Sequence, residues 1–370
     1  MQMVDLVSQT KKIYTELQAA IERVLLQGAF INGEEVRLFA EELGQYMEGM
    51  TVVPCANGTD ALQISLMALG LQPGDEVVVP AFTYAASAEV IALLGLQPVL
   101  VDVDERTFNI DPNVLEAAWS SRVKAIIPVH LYGRSADMHG VLQWANAHGV
   151  KVIEDNAQSL GSSYEWGGNT IKVGTLGDVS CTSFFPTKNL GCFGDGGAMM
   201  TRNPELAARL RMIANHGQRE KYYHEVIGCN SRLDTLQAAI LRIKLKYLDD
   251  YLQTRITAAK YYTTHLSDLS EIITPDTAGC TFHQYTLRVR NGQRDRLKTY
   301  LQARGIPSMI YYPLALCDQP AFRSSGRTVG TLDVSRRLVG EVLSLPMHTE
   351  LTQELQDQVI GAVRDFFLTR

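Results

Sequence analysis

The chain has 370 residues and a formal net charge of −6, and its basic residues are spread along its length. This charge argues against a nucleic-acid-binding surface, yet it leaves room for a small anion held by backbone amides. The length suits one large domain and a smaller one, and a content of 46% hydrophobic and 20% charged residues is typical of a globular enzyme.

Targeting and metal signals are weak. The N-terminus lacks a basic start followed by an apolar core, so we predict no signal peptide. Apolar runs such as residues 90–96 are too short to span a bilayer. The six cysteines include no CxxC pair, which favours reduced thiols over a disulfide framework or a zinc site. We therefore expect a cytoplasmic protein without a membrane segment, a nucleic-acid partner or a metal.

The first half of the chain alternates between strand and helix patterns. A helical pattern over 13–47 is interrupted near Gly28. Predicted strands follow at 51–56, 75–81, 98–104, 124–133 and 150–157, and predicted helices at 60–70, 83–95 and 138–149. This alternation predicts an α/β domain with a large, mostly parallel sheet.

The second half begins with a pattern that predicts one long helix over 235–265. Further elements are predicted at 283–290, 294–305, 341–348 and 353–369. We therefore divide the chain into a large α/β domain with an N-terminal helical arm, residues 1–249, and a small C-terminal α+β domain, residues 250–370.

Polar residues stand where predicted strands end and helices begin, which is where open α/β sheets bind ligands. Gly58 and Thr59 of "NGTDAL" open a helix whose amides could hold a phosphate. The alternative is that Asn57 or Thr59 only caps this helix. Tyr84 of "PAFTY" follows a strand and could stack on a planar ligand, although an aromatic ring is more often part of the core.

Two further strand ends carry ionisable groups. Asp155 of "EDNAQS", with Gln158 three residues further on, could stabilise a cation on a bound ring, or it could be a helix cap or a surface acid. Lys188 lies in the uncharged stretch "SFFPTKNLGCFG". An amine in a confined, apolar site loses hydration, its pKa falls, and it becomes a candidate nucleophile for a carbonyl. The alternative is a lysine that reaches water along its stem.

Taken together, these motifs resemble those of the DegT/DnrJ/EryC1/StrS aminotransferases, which use pyridoxal 5′-phosphate (PLP) on nucleotide-linked keto sugars. The resemblance covers nearly the whole chain and also includes "NHGQ", "IGCNSRLDTLQAAI" and "YYPLAL". It implies PLP fold type I, the fold of aspartate aminotransferase, with pyridoxamine phosphate as the alternate cofactor form. It also implies a homodimer with shared active sites.

The resemblance assigns roles by position. It implies that Lys188 bonds to PLP and moves protons and that Asp155 pairs with the pyridine nitrogen. The other implied cofactor contacts are Gln158 beside the ring hydroxyl, Tyr84 on the ring, Gly58, Thr59 and Ser183 at the phosphate, and Asn230 at the phosphate of the neighbouring subunit's cofactor.

The subgroup that the sequence most resembles aminates UDP-2-acetamido-2-deoxy-3-oxo-glucuronic acid with glutamate, for bacterial surface polysaccharide such as the O-antigen of lipopolysaccharide. Arg232 could bind a carboxylate or serve in a structural ion pair, and His216 is expected near the sugar. The subgroup has histidine and tyrosine where this chain has Tyr311 and Tyr312. A 4-oxo nucleotide-sugar aminotransferase therefore remains the alternative.

Two other functions fit the fold less well. PLP-dependent sugar dehydratases have a histidine at the position of Lys188, and a sensor without activity would not need every cofactor position filled. His130 is expected to have a structural role near a strand end.

Overall fold

A computed structural model describes residues 1–368. The strands are β1 (Thr51–Cys55), β2 (Glu76–Pro80), β3 (Gln97–Val101), β4 (Val123–Ile126), β5 (Lys151–Asp155), β6 (Ser163–Trp166), β7 (Asn169–Lys172), β8 (Val179–Ser183), β9 (Gly197–Thr201), β10 (Gln218–Glu220), β11 (Tyr223–His224), β12 (Ile272–Ile273), β13 (Tyr285–Val289), β14 (Arg327–Thr328) and β15 (Val342–Leu345). The helices are α1 (Leu6–Lys12), α2 (Tyr14–Gln27), α3 (Glu34–Tyr46), α4 (Gly58–Ala68), α5 (Ala86–Leu93), α6 (Leu115–Ala118), α7 (Met138–His148), α8 (Pro204–Ala214), α9 (Thr235–Leu245), α10 (Leu248–Leu266), α11 (Arg294–Ala303), α12 (Asp333–Glu341) and α13 (Gln353–Leu368).

Eight strands form one large sheet in the order β1-β9-β8-β5-β4-β2-β3-β14. β9 runs antiparallel to both of its neighbours, and the other neighbouring pairs are parallel. Val77 and Val79 of β2 belong to an apolar cluster with α4, α5 and α8, whereas Val78 belongs to a cluster with α6 and α7. Both faces of β2 are therefore covered, which explains why its sequence shows no polar alternation.

A second, antiparallel sheet of β12, β13 and β15 forms in the C-terminal part of the chain. α10, α11 and α13 cover it through a separate apolar core that includes Tyr262, Phe282 and Tyr285. α10 begins at Leu248, close to the predicted boundary between residues 249 and 250, and the division into two domains stays a prediction. Residue 369 of the predicted final helix lies outside the described residues.

The prediction of one helix over 235–265 is wrong, because α9 ends at Leu245 and α10 starts at Leu248. Tyr247 lies between them with φ −102° and ψ 1°, and its hydroxyl donates a hydrogen bond to Glu16 of α2. α9 packs on α2 and α3, whereas α10 packs on α13. The break lets each helix cover its own core, which a local helical pattern cannot reveal.

Within residues 1–368, no helix has both the length and the apolar character needed to cross a bilayer. The same part of the chain contains no cluster of three His, Cys, Asp or Glu side chains that could hold a metal ion. All six cysteines are free thiols in the structure.

Candidate active site

The predicted site residues lie at one edge of the large sheet. α4 follows β1, Tyr84 follows β2, Asp155 ends β5 and Ser183 ends β8. These four strands run in the same direction, so their carboxyl ends meet at this edge.

The start of α4 lies directly against the end of β8. A Cβ atom at Gly58 would lie 2.8 Å from Cβ of Ser183, so only glycine permits this approach. The Asn57 side chain caps α4 by accepting a hydrogen bond from the amide of Asp60 at 2.8 Å. The cap therefore comes from Asn57, and the amides of Gly58 and Thr59 belong to the first turn, which has no intrahelical acceptors. The start of α4 therefore has the donors and the helix end that a phosphate requires.

Asp155 is buried at the end of β5 with 7% of its surface exposed. Its Oδ2 accepts a hydrogen bond from Ser87 Oγ at 2.8 Å, and its Oδ1 accepts one from the amide of Ala157 at 3.2 Å. The carboxylate is therefore held in one orientation by groups on both sides. Ser87, on α5, was not predicted, because "AASAEV" has no feature that distinguishes it from an ordinary buried helix.

Lys188 lies in a turn after β8 in which its amide donates to the carbonyl of Phe185 at 2.8 Å. Burial lowers the pKa of its amine from 10.5 to about 8, and the negative charge of Asp155 opposes part of this shift. At a pH of about 7.5, about a quarter of the amine is uncharged, against about 0.1% for an exposed lysine.

The lowered pKa of Lys188 has a consequence for stability. The unfolded chain binds this proton more tightly than the folded chain between pH 8 and pH 10.5. The resulting loss of stability is fully present below pH 8 and disappears above pH 10.5. A site that keeps such a group despite its cost is a candidate for function.

Side chains of α9 hold the glycine-rich segment that follows Lys188. The buried Lys244 ammonium donates to the carbonyl of Gly191 at 2.6 Å. The Gln237 side chain accepts from the amide of Phe193 at 2.8 Å and donates to its carbonyl at 3.3 Å. Burial also lowers the pKa of Lys244 to about 8. Neither Lys244 nor Gln237 was predicted, because both lie on a helix far along the chain and show no local motif.

Gln158 connects two parts of the site. Its Oε1 accepts a hydrogen bond from the amide of Tyr132 at 2.7 Å, and its Nε2 donates to the Tyr312 hydroxyl at 3.2 Å. The Tyr312 ring lies 6.1 Å from that of Tyr84, which is 60% exposed, and the Tyr132 hydroxyl donates to the carbonyl of Tyr311. The structure therefore brings Tyr84, Gln158, Tyr311 and Tyr312 together, and their roles stay predictions.

The "NHGQ" and "GCNSR" segments lie next to each other. Asn230 is exposed and forms a β-bridge with Asn215. Arg232 donates to Asn215 Oδ1 at 3.4 Å and forms no ion pair within residues 1–368. His216 is exposed with φ 57°, and its amide donates to the carbonyl of Cys229 at 2.8 Å.

The "GCNSR" segment also contacts the start of α4. Ser231 Oγ donates to Asp60 Oδ2 at 2.6 Å and accepts from the amide of Ala56 at 3.0 Å. Asn230 therefore lies next to a residue that is fixed to the start of α4 in its own chain.

His130 has the structural role that the sequence predicts. Its Nδ1 accepts a hydrogen bond from the amide of Ala136 at 3.0 Å, so the proton is on Nε2, which donates to Glu154 Oε2 at 2.9 Å. Burial raises the pKa of the Glu154 carboxyl, but hydrogen bonds from His130 and from the amides of Leu176 and Gly177 outweigh it and leave the pKa lowered.

The fold and the site define a PLP-dependent transferase of fold type I. The chain belongs to the DegT/DnrJ/EryC1/StrS aminotransferase family, whose model matches residues 11–364. It is an aminotransferase, and members of this family use PLP and act on nucleotide-linked sugars. The fold class, the family, the cofactor and the aminotransferase activity predicted from the sequence are thus confirmed.

Several relatives are similar along their whole length. A UDP-2-acetamido-2-deoxy-3-oxo-D-glucuronate aminotransferase of Pseudomonas aeruginosa is 45% identical, over 95% of this chain and 96% of its own. A protein of Geobacillus stearothermophilus named a pleiotropic regulatory protein is 44% identical, over 99% and 98%. The solved structure of DesV of S. venezuelae, in complex with a ketimine intermediate, is 40% identical with a TM-score of 0.95, over 99% and 98%. Other relatives are named for dTDP-linked sugars or GDP-perosamine.

The residues at the sheet edge fit PLP. Gly58 lets the start of α4 approach Ser183 closely, and this helix start suits a phosphate. Lys188 offers an amine that is partly uncharged near neutral pH, and Asp155 offers a fixed carboxylate. The site thus has a group for the aldehyde, the phosphate and the ring nitrogen of the cofactor.

Proposed function

We propose that this aminotransferase takes the amino group of glutamate and transfers it to UDP-2-acetamido-2-deoxy-3-oxo-glucuronic acid. The name of the P. aeruginosa relative supports this substrate. Both glutamate and a uronate carry a carboxylate, and the Arg232 guanidinium has no acidic partner within the described residues. The product would be a diamino-uronic acid precursor made in the cytoplasm for surface polysaccharide.

In the proposed site, PLP supplies an electron sink that stabilises negative charge on a substrate carbon when it is bound. Lys188 holds the cofactor covalently and, as a free amine, carries the proton that moves during transfer. Asp155 keeps the ring nitrogen protonated, and its orientation is fixed by Ser87.

The remaining residues position the ligands. Gly58, Thr59 and Ser183 bind the phosphate, Tyr84 packs on the ring, and Gln158 lies beside the ring hydroxyl. His216, Arg232, Tyr311 and Tyr312 are proposed to contact the sugar or the donor.

A second candidate substrate class is supported by the pair Tyr311 and Tyr312. A tyrosine at 311, in place of the subgroup's histidine, removes a group that could carry positive charge near the sugar. Relatives named as transaminases of dTDP-3-amino sugars are 42% and 40% identical to this chain, and these names concern a different nucleotide but the same ring position. The change at Tyr311 is therefore what makes a 4-oxo nucleotide sugar the alternative acceptor.

The reverse reaction separates the two substrates. Given 2-oxoglutarate and UDP-3-amino-glucuronate, the enzyme should form glutamate, and 4-amino-hexose nucleotides should react at least about 100-fold more slowly in kcat/KM, which is the discrimination expected when polar groups are left unpaired. Glutamate formation with only the 4-amino-hexose nucleotides would overturn the uronate assignment and leave the aminotransferase activity intact.

We also propose that two copies form a homodimer with shared active sites. Phe30, Ile31 and Phe193 are exposed by 45%, 54% and 43%. Phe30 and Ile31 lie against the start of α9, and Phe193 is bonded to Gln237 of the same helix. Exposed apolar side chains grouped beside a polar site are typical of an interface between subunits.

Mixed dimers test whether Asn230 acts on the partner's cofactor. Lys188→Ala and Asn230→Ala chains should each be nearly inactive alone. If Asn230 serves the other subunit, one site of each mixed dimer carries both changes and the other carries none. Equal mixing should then restore about a quarter of the wild-type activity, since about half of the dimers are mixed and each has one intact site.

The control is a mixture of Lys188→Ala and Asp155→Ala chains. Both residues belong to the same chain's site, so every site in that mixture carries a lesion and no activity should return. If the Asn230 mixture also stays inactive while mixed dimers are shown to form, Asn230 does not act across the interface.

A further inference from the structure

His283 is a buried polar residue that the roles above leave without a function. Only 6% of its surface is exposed, and its Nδ1 has no hydrogen-bond partner within residues 1–368. Buried polar atoms in folded proteins nearly always have a partner, so an unpaired one needs an explanation.

The backbone around His283 is fixed against the turn that carries Lys188. Asn189 Nδ2 donates to Thr281 Oγ1 at 3.2 Å, which joins the two segments directly. Gly133 has φ 98°, and a Cβ atom there would lie 2.8 Å from the amide nitrogen of Phe282 and 3.0 Å from that of His283. From the other side, Arg255 donates to the carbonyl of His283 at 3.4 Å. The backbone of His283 therefore has a defined position.

Burial and two nearby positive charges keep this imidazole neutral. Burial lowers the pKa of His283 well below 6.5, and the positive charges of Lys188 and then Arg255 lower it further. The other charge that acts on Lys188 is that of Asp155. A neutral imidazole with its proton on Nε2 presents a lone pair at Nδ1.

Lys188 lacks the opposite kind of partner. Its ammonium can donate hydrogen bonds, but no acceptor atom in the described part of the chain is bonded to it, although the residue is partly buried. We propose that His283 is a positioning residue: when the amine of Lys188 is not bonded to the cofactor, its ammonium turns toward His283, and Nδ1 accepts a hydrogen bond from it. The inference rests on the proposed role of Lys188 and adds a hydrogen-bond acceptor for its amine when the amine is not bonded to the cofactor.

The contact has a measurable effect on Lys188 alone. A hydrogen bond to the ammonium stabilises its charged form, so losing it should lower the pKa of Lys188. In the cofactor-free protein, this pKa is read from the pH dependence of acetylation by acetic anhydride, quantified on the Lys188 peptide by mass spectrometry. Activity plays no part in this readout.

Asparagine and glutamine distinguish the two ring nitrogens. The side-chain amide of asparagine lies close to the position of Nδ1 and that of glutamine close to Nε2. We expect His283→Phe and His283→Gln to lower the pKa of Lys188 by about one unit, the size of a hydrogen bond to a charged group, and His283→Asn to keep it within about 0.3 units. If the Phe variant does not fold, the Gln and Asn variants still give the comparison.

One control isolates the effect. Lys244 is measured in the same digest, and its profile should not move. An unchanged or raised pKa in folded His283→Phe or His283→Gln protein, or restoration by Gln and not by Asn, would overturn the proposal. These outcomes are independent of whether the cofactor bonds to Lys188, which is tested separately.

Discussion

Replacing Lys188 with alanine should reduce kcat by at least about three orders of magnitude, because the change removes one group that acts in both covalent catalysis and proton transfer. The variant should still bind PLP, since the contacts proposed at Gly58, Thr59 and Asp155 remain. The measurement is glutamate formation in the reverse reaction, with PLP content determined on the same samples.

The matched control for this change is Lys244→Ala. Lys244 has a similarly lowered pKa and is bonded to the same glycine-rich segment. The Lys244→Ala change should lower activity by displacing that segment, and the loss should be smaller than the loss in Lys188→Ala. A Lys188→Ala enzyme that retains more than about a tenth of wild-type kcat would contradict the role given to Lys188.

Replacing Asp155 with asparagine should lower kcat by about two to three orders of magnitude, as expected when a preorganised charge is removed from a buried site. The side chain keeps its size, and its oxygen can still accept a hydrogen bond from Ser87. What is lost is the negative charge that keeps the ring nitrogen of the cofactor protonated. Single-turnover kinetics with glutamate measure the transfer of the amino group to the cofactor directly.

Ser87→Ala provides the comparison for Asp155→Asn. It removes the 2.8 Å hydrogen bond to Oδ2 but keeps the carboxylate, so we expect a loss of only about tenfold, in line with a single orienting hydrogen bond. If Ser87→Ala is as damaging as Asp155→Asn, orientation rather than charge is the main contribution of Asp155.

Much of the fold could be predicted from local patterns. β2 is predicted by a short apolar run after "PGD", and α7 by helical periodicity that ends at Gly149, which has φ 65° as a helix C-cap requires. The break at Tyr247 could not be predicted, because it depends on α9 and α10 packing on different cores. The antiparallel direction of β9 could not be predicted either, since strand direction depends on connections and not on residue type.

The residues of the site also divide into those that local sequence indicates and those that it does not. Gly58, Asp155 and Lys188 stand at strand ends with motif neighbours, so local sequence is enough to indicate them. Ser87 and His283 contribute through contacts with residues far away in the chain, and neither has a local signal. The burial that lowers the pKa of Lys188 likewise exists only in the folded chain.

The role of Lys188 is tested most directly by finding which residue bonds to the cofactor. The purified PLP-bound protein is reduced with borohydride, digested, and its modified peptide identified by mass spectrometry. We expect the reduced adduct on Lys188. An adduct on Lys244, a second buried lysine with a pKa of about 8, or the absence of any adduct in protein that contains PLP, would contradict this assignment.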